Sequence, residues 1–217
     1  MPQPATVHRI SSDVQDFLHS ENILDAIDKD LTELGVIGEH RNKSLLYLTA
    51  ISRRLENPLA IRLWSPASSG KSQLTRVIAN LQIPEETKIL SRVTKQSLYY
   101  MGRQNPDALA HRFVYLAESE GSRDAGYALR ILLSEKSLCL QTVIAGEPIE
   151  IELRGPIAYV ETGVEALTDL QVASRLFQLE MDVRTEQTMA VQKAMAQHAM
   201  DNTEIEEHAI VQRHHEA

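Results

Sequence analysis

The sequence predicts an α/β domain with a parallel central sheet, and three observations carry that prediction. Leu59 to Trp64 is a short apolar run that reads as a buried strand, and it leads into the small residues Ser65 to Ser69 and then Gly70-Lys71-Ser72. From Lys71 onward Leu74, Val77, Ile78 and Leu81 recur at i, i+3, i+4 and i+7, one face of a helix. Downstream, Arg112 to Glu118 and Ile157 to Thr162 are hydrophobic strand-like runs that end in polar residues, as strands do where a parallel sheet gathers ligands at its carboxyl edge. Strand, small-residue loop, Gly-Lys-Ser and helix together make a phosphate-binding loop. In such a loop the backbone N–H groups and the helix N-terminus cradle anionic oxygens, the Lys reaches the β/γ-phosphates and the Ser hydroxyl holds Mg²⁺. The general pattern has glycine at the first position, and here Ser65 stands in its place. The phosphate-contacting set is Ser68, Ser69, Gly70, Lys71, Ser72 and Gln73.

The remaining elements follow in order. Ser11 to Leu34 carries Val14, Phe17, Leu18, Ile23, Leu24, Ile27 and Leu31, the pattern of two short amphipathic helices split near Ser20-Glu21-Asn22. A glycine-bearing turn, Leu34 to Glu39, precedes a helix expected over Lys43 to Leu55, which Asn57-Pro58 ends. After the loop helix, a second strand is expected over Thr87 to Val93 and a helix over Lys95 to Met101. The strand Arg112 to Glu118 finishes in a carboxylate able to hold a metal-bound water or act as its base. Ser122 to Ser134 reads as a helix, and Leu138 to Val143 with Ile149 to Leu153 as a hairpin. A short helical piece over Asp169 to Arg175 and a last strand over Leu176 to Met181 precede one long helix from Thr185, with Ala190, Val191, Ala194 and Met195 on its apolar side. This order divides the chain into an N-terminal helical segment (1–56), a phosphate-loop core (57–183) and a C-terminal helix (184–217), the last expected to be cut short.

Bulk properties exclude several classes. The 217 residues carry a net charge of −8, which argues against a generally basic, nucleic-acid-coating surface but leaves room for a local basic strip. Cys139 is the single cysteine, so neither an intrachain disulfide nor a multi-cysteine zinc site can form. No stretch approaches the roughly 18 apolar residues of a membrane span, and the first residues lack a signal-peptide pattern; a cytoplasmic location is the expectation. His208, His214 and His215 near the C-terminus show no spacing for a closed metal site and are expected on a helix without a metal.

The motif order resembles that of an AAA+-type ATPase core with a β-hairpin insertion. Gly38-Glu39, Asn42-Lys43, Pro58-Leu59, Gly70-Lys71-Ser72, Pro84-Glu85, Leu98-Tyr99-Tyr100, Tyr127 to Arg130, Ser134-Glu135, Gly155-Pro156, Thr162, Arg175 and Glu186-Gln187-Thr188 are together similar to the helicase-like ATPase domain of zinc-finger primase–helicase proteins of phages, plasmids and other mobile elements. That family looks like a relative of the minichromosome maintenance helicases, and the resemblance spans roughly residues 10 to 217. It implies ATP and Mg²⁺ as cofactors, with Lys71 on phosphate, Ser72 and Glu118 on the metal side, and Glu118 orienting the attacking water. Thr162 would be the polar sensor of the γ-phosphate, and Arg175 an arginine finger reaching a neighbouring subunit's nucleotide. The implied partners are single-stranded DNA gripped by the hairpin, further copies of the chain in a ring, and a primase or zinc-finger region in this or another chain.

The sequence departs from that family at four places. Ala117 precedes Glu118 where an acid is usual, the hairpin is acidic (Glu147, Glu150, Glu152), Glu161-Thr162-Gly163 replaces a run of threonines, and Ser174 replaces Asn before Arg175. Two readings follow: an ATP-driven motor domain for DNA unwinding in replication, and a catalytically weak nucleotide-binding module that assembles other replication proteins. A small-molecule phosphotransferase shares the loop but would need an arginine-rich lid after the third strand, which the sequence lacks.

Overall fold

The protein is seen as a computed structural model describing residues 11–91, 93–117, 123–144, 147–168, 173–201 and 207–217. Five strands pair in parallel: β1 (Ala60–Trp64), β2 (Thr87–Leu90), β3 (Arg112–Leu116), β6 (Ile157–Gly163) and β7 (Phe177–Glu180), in the spatial order β2-β3-β6-β1-β7. β4 (Ser137–Ile144) and β5 (Glu147–Arg154) form a separate antiparallel hairpin. The expected α/β architecture with a parallel sheet and hairpin insertion is therefore the observed one. β1 is buried along its length except for a half-exposed Trp64, as its continuous apolar composition requires of a strand covered on both faces.

Alternation along the strands feeds two cores. Ile61, Leu63, Phe113, Tyr115, Ala158 and Val160 point to one face. There they meet α1 (Ser12–Leu18), α2 (Ile23–Glu33), α3 (His40–Ile51) and α4 (Lys71–Asn80) through Phe17, Leu31, Leu46 and Ile78. Ala60, Val114, Leu116, Ile157 and Tyr159 point to the other face, under α5 (Lys95–Gln104), α6 (Arg123–Glu135) and the base of the hairpin. By the same alternation Glu161 shares a face with Tyr159, and Thr162 shares a face with Val160 and α4.

The split between α1 and α2 follows from caps: Ser11 and Asn22 side chains accept hydrogen bonds from Val14 N and Leu24 N. α3 starts three residues before the expected Lys43. The turn Gly38-Glu39 has φ of 66° and 57°, and Glu39 O takes the first helical bond from Lys43 N at 2.8 Å. Lys43 is wholly buried on this helix, donating to Thr32 Oγ1 at 2.7 Å and paired with Asp28 at 3.2 Å. Burial lowers its pKa and the Asp28 carboxylate opposes that shift. The hairpin strands exceed the expected spans, and the hairpin lies against α5 rather than standing clear at its base. At Gly102 a Cβ would come within 2.6 Å of Glu152 O, so only glycine admits that approach. Of the expected helical piece over Asp169 to Arg175, residues 169–172 lie outside the described residues.

The expected single C-terminal helix is corrected. The structure describes α7 (Thr185–Asp201) and a distinct α8 (Glu207–Glu216) that docks on the N-terminal helices. Ala190 and Met195, expected on the apolar side of α7, are exposed, while Val191 and Ala194 are half-buried. Ile210 enters the core. His214 Nε2 donates to Asp30 Oδ2 at 2.9 Å and its Nδ1 is hydrogen-bonded to Tyr47 Oη at 2.8 Å, and Arg213 donates to Asp30 Oδ1 at 2.7 Å and pairs with Asp13 at 3.2 Å. His215 reaches Asn80 O at the end of α4. His214 and His215 thus serve to dock α8. Sequence patterning could not reveal it, because every partner lies far away in the chain.

This clasp gives a stability prediction. Burial raises the Asp30 pKa, but hydrogen bonds from His214 and Arg213 outweigh it and hold the carboxyl below its ordinary value. Burial, with the Asp30 charge second, pushes Tyr47 up to about 12. Asp30 therefore contributes stability that is full above the unfolded carboxyl value of about 3.9 and fades as pH falls through its lower folded value. Tyr47 contributes below about 10, and that is lost as pH rises toward 12. His214→Ala is expected to cost about 2–3 kcal/mol, read as a lower melting temperature between those limits and a smaller fall in stability on acidification than the parent shows.

Candidate functional site

β1 runs into the loop from the interior of the sheet, with Trp64 in register with Gly163 on one side and Glu180 on the other. Ser65 N then donates to Gly163 O at 3.3 Å, so the loop leaves the sheet tied to the end of β6. Ser68 has φ of 64° and Gly70 φ of 87°; the latter turn lies in the left-handed region that glycine adopts at no steric cost and is the cap of α4. The N–H groups of Lys71, Ser72 and Gln73 belong to the first turn of α4, which follows directly on the loop. Thr75 Oγ1 donates back to Lys71 O at 2.9 Å and secures that turn.

Lys71 is 9 % exposed, and its ammonium lies inside the loop. Nζ donates to Ser65 O at 2.7 Å and Pro66 O at 2.9 Å, and reaches Ser65 Oγ at 3.2 Å and Ser69 Oγ at 3.3 Å. Ser65 is fully buried and its hydroxyl is bonded to that of Ser69. Ser65 is absent from the left-handed region, which explains how the position tolerates a side chain where the general pattern has glycine.

The other expected site residues fall in three places. Thr162 is 2 % exposed and in register with Leu63, two residues before the loop begins, so it borders the loop helix side of the sheet edge. β3 ends at Leu116, level with Glu161, and Ala117 N donates to Leu90 O at 3.0 Å. Glu118 follows and lies outside the described residues. Only β6 separates β3 from β1, so the carboxyl ends of all three strands adjoin. Arg175 lies elsewhere. It precedes β7, is exposed, and donates to Arg130 O at 3.4 Å. Ile61 pairs with Phe177 and Trp64 with Glu180, so the length of β7, about 10 Å, separates Arg175 from the loop edge of the sheet. Within one chain Arg175 and Lys71 are not brought together.

A cavity of about 470 Å³ opens beside the loop. Its walls come from three stretches: Gly35 to Ile37 with Glu39, Pro66 to Gly70 with Gln73 and Leu74, and Met181 to Val183 with one side of α7 at Gln187, Thr188, Val191 and Gln192. Apolar Val36, Met181 and Val191 are interleaved with Gln73, Gln187 and Thr188, the mixture of flat apolar wall and few polar groups that small-molecule sites show. Hydrogen bonds lock the walls together. Gln187 Nε2 donates to Ile37 O at 2.7 Å and Gln73 Nε2 to Gly35 O at 3.2 Å. Asp182 N donates to Glu39 Oε1 at 2.8 Å, and Asn42 Nδ2 donates to Glu180 O at 2.9 Å. Arg184 donates to Asp182 and holds its carboxyl down at about 2. Glu39 and Gln187-Thr188 belong to sequence motifs that had no site role, and the structure brings them together as residues lining this cavity, while Asn42 of the same motifs is bonded to Glu180 O outside it.

Glu161 and Arg130 stand in motifs of the sequence, but nothing there indicates the group that they form with Arg62 and Tyr159. The wholly buried Glu161 carboxylate accepts from Arg62 Nη1 at 2.8 Å, Arg130 Nη1 at 2.9 Å and Tyr159 Oη at 2.7 Å. Arg62 also donates to Glu165 O at 3.0 and 2.8 Å, fixing the turn after β6. Burial, then the Glu161 charge, raises the Tyr159 pKa well above its ordinary value. The available signal was a lone Arg and a lone Glu inside two apolar strands of a parallel sheet. Glu161→Gln leaves two guanidiniums buried without their counter-charge and is expected to cost about 3–5 kcal/mol, measured as a lower urea midpoint at unchanged slope.

The loop, the first turn of α4 and the ammonium inside it carry donors and charge of the kind that suit a polyanion. Among the described residues no group of three or more His, Cys, Asp or Glu could hold a metal ion by itself. The donor set fits Mg²⁺ held partly by phosphate oxygens, with the exposed Ser72 hydroxyl on the first turn of α4 as the protein's own contribution. No helix of the described residues is long and apolar enough to cross a membrane. Comparison with curated proteins finds no match. A family model described as the MTBMA_p00010 P-loop domain matches residues 10–214. With nearly the whole chain covered, the parallel five-stranded sheet in place and the loop closed around Lys71, this protein belongs to that P-loop domain family.

Proposed function

We propose that the chain binds Mg²⁺-ATP and is the ATPase core of a DNA-replication protein, helicase-like and associated with a primase of a mobile element. The observation that carries nucleotide binding is the pairing of a phosphate-receiving loop with an adjoining cavity of about 470 Å³, sized for a nucleoside. In this reading the phosphates lie against the N–H groups of Ser69 to Gln73 and meet Lys71 and Ser72, and the base and ribose enter between Val36, Gln187 and Val191. Thr162 borders the terminal phosphate from β6, and Glu118 orients water. Arg175 supports assembly. It is exposed at the edge away from the loop, so it acts only if a second copy in a head-to-tail ring carries it to a neighbour's nucleotide.

A weak nucleotide-binding module that assembles other replication proteins is the second reading. Ala117 removes an acid beside the site, and the outward side of the hairpin carries Glu150 and Glu152, a poor surface for a phosphate backbone.

Titration of Mg²⁺-ATP and turnover with and without single-stranded DNA decide between them. Lys71→Ala is expected to weaken binding roughly tenfold to hundredfold, and unchanged binding would reject the site. For the motor reading, turnover rises with DNA. Arg175→Ala then lowers turnover by about 10³-fold while leaving binding intact, and mixing Arg175→Ala with Lys71→Ala subunits restores part of it. Binding without turnover in the parent chain, alone and with DNA, supports the module.

A further inference from the structure

We propose that Ser65 is a positioning residue that holds Lys71 back on the loop and so weakens capture of a polyphosphate. The inference rests on the reading of the loop as a nucleotide site and concerns a position where this chain departs from the glycine of the general pattern.

Lys71 Nζ carries three protons. Two of its contacts, to Ser65 O at 2.7 Å and Pro66 O at 2.9 Å, use backbone carbonyls that any side chain at these positions would supply. The contacts to Ser65 Oγ at 3.2 Å and Ser69 Oγ at 3.3 Å exist because both positions are serine. The two hydroxyls are bonded to each other, and Ser65 Oγ also lies 3.4 Å from Pro66 O. Ser65 is fully buried and its backbone is anchored to Gly163 O, so its hydroxyl cannot swing to water. Since the backbone at 65 is not left-handed, the side chain alters chemistry at the ammonium without altering the path of the loop. An arriving polyphosphate must take protons that these fixed hydroxyls now share. Removing the Ser65 hydroxyl takes away one competitor and frees Ser69 to turn outward.

Ser65→Ala and Ser65→Gly are therefore both expected to bind Mg²⁺-ATP about threefold to tenfold more tightly than the parent, the fold-change that the ordinary net worth of one hydrogen bond gives. The melting temperature without nucleotide checks that each variant is folded. A merely structural serine would give equal or weaker binding on removal. Lys71 acylation by an amine-reactive ester, followed by peptide mass spectrometry, is the second measurement and needs no nucleotide; Ser65→Ala is expected to speed it severalfold. Unchanged or weaker affinity in folded Ser65→Ala overturns the proposal, as does a gain confined to Ser65→Gly, which would assign the effect to side-chain volume. If neither parent nor variants bind Mg²⁺-ATP, the nucleotide reading falls. The acylation rate then still judges Ser65, and an unchanged rate overturns its role.

Discussion

The candidate site depends on one constraint, the parallel pairing of β1 between β6 and β7. Because Trp64 is in register with both Gly163 and Glu180, the chain leaves β1 from the middle of the sheet with neighbours on each side. Hydrogen bonds along both edges leave the loop a single exit, toward the carboxyl edge, and the bond from Ser65 N to Gly163 O extends that constraint one residue further. The same pairing sets what surrounds the loop. β6 brings Thr162 to one side, and the chain beyond β7 brings Asp182 and the start of α7 to the other. A slip of one residue between β1 and β6 would exchange the faces of Thr162 and Glu161, turning a hydroxyl away from α4 and a carboxylate into the apolar core.

That alternation explains why Glu161 can be charged beside an apolar sheet. It faces α6, where Arg130 reaches it, while Arg62 reaches it from the adjacent strand at the same level. A buried carboxylate with three donors is tolerable, though replacing such a cluster with apolar groups is often no less stable. What the cluster adds is position. It ties β1, β6 and α6 at the level immediately before Thr162, and through Arg62 it fixes the turn after β6 as well. The Arg175 bond to Arg130 O puts the exposed arginine on the same helix that supports Glu161. Arg130 thus links Arg175, whose hydrogen bond its main-chain oxygen accepts, to Glu161, which its guanidinium reaches on the strand that carries Thr162.

Much of this was legible in the sequence, and what was not has a common cause. The strand at Leu59 to Trp64, the loop and the helix from Lys71 depend on local periodicity and on Gly70, so the expected and observed spans agree within a residue. The hairpin was readable from alternation, though not its contact with α5, which turns on the missing side chain of Gly102. α3 begins where a left-handed Glu39 receives support from Asp182, 143 residues away, and no local pattern encodes that. His214 likewise gains its role from Asp30 and Tyr47, and His215 from Asn80 O. At the site, Lys71 and Thr162 were placed by motif order, whereas the cavity wall was not, because its three stretches share no periodicity.

The cavity wall has a further consequence for how affinity and stability are linked. Its stretches are held by bonds that span the chain: Gln187 to Ile37, Asp182 to Glu39, Gln73 to Gly35. The segment that begins at Gln187 ends in α8, whose Arg213 and His214 bind Asp13, Asp30 and Tyr47 on the same N-terminal helices that supply the other wall. Both ends of the C-terminal stretch are therefore fastened to the N-terminal layer, one beside the loop and one behind it. A cavity made this way exists only when the whole chain is folded, so any ligand filling it binds the native state alone and stabilises it by mass action. In this molecule α7 supplies part of the cavity wall, and α8 fastens to the N-terminal helices behind it.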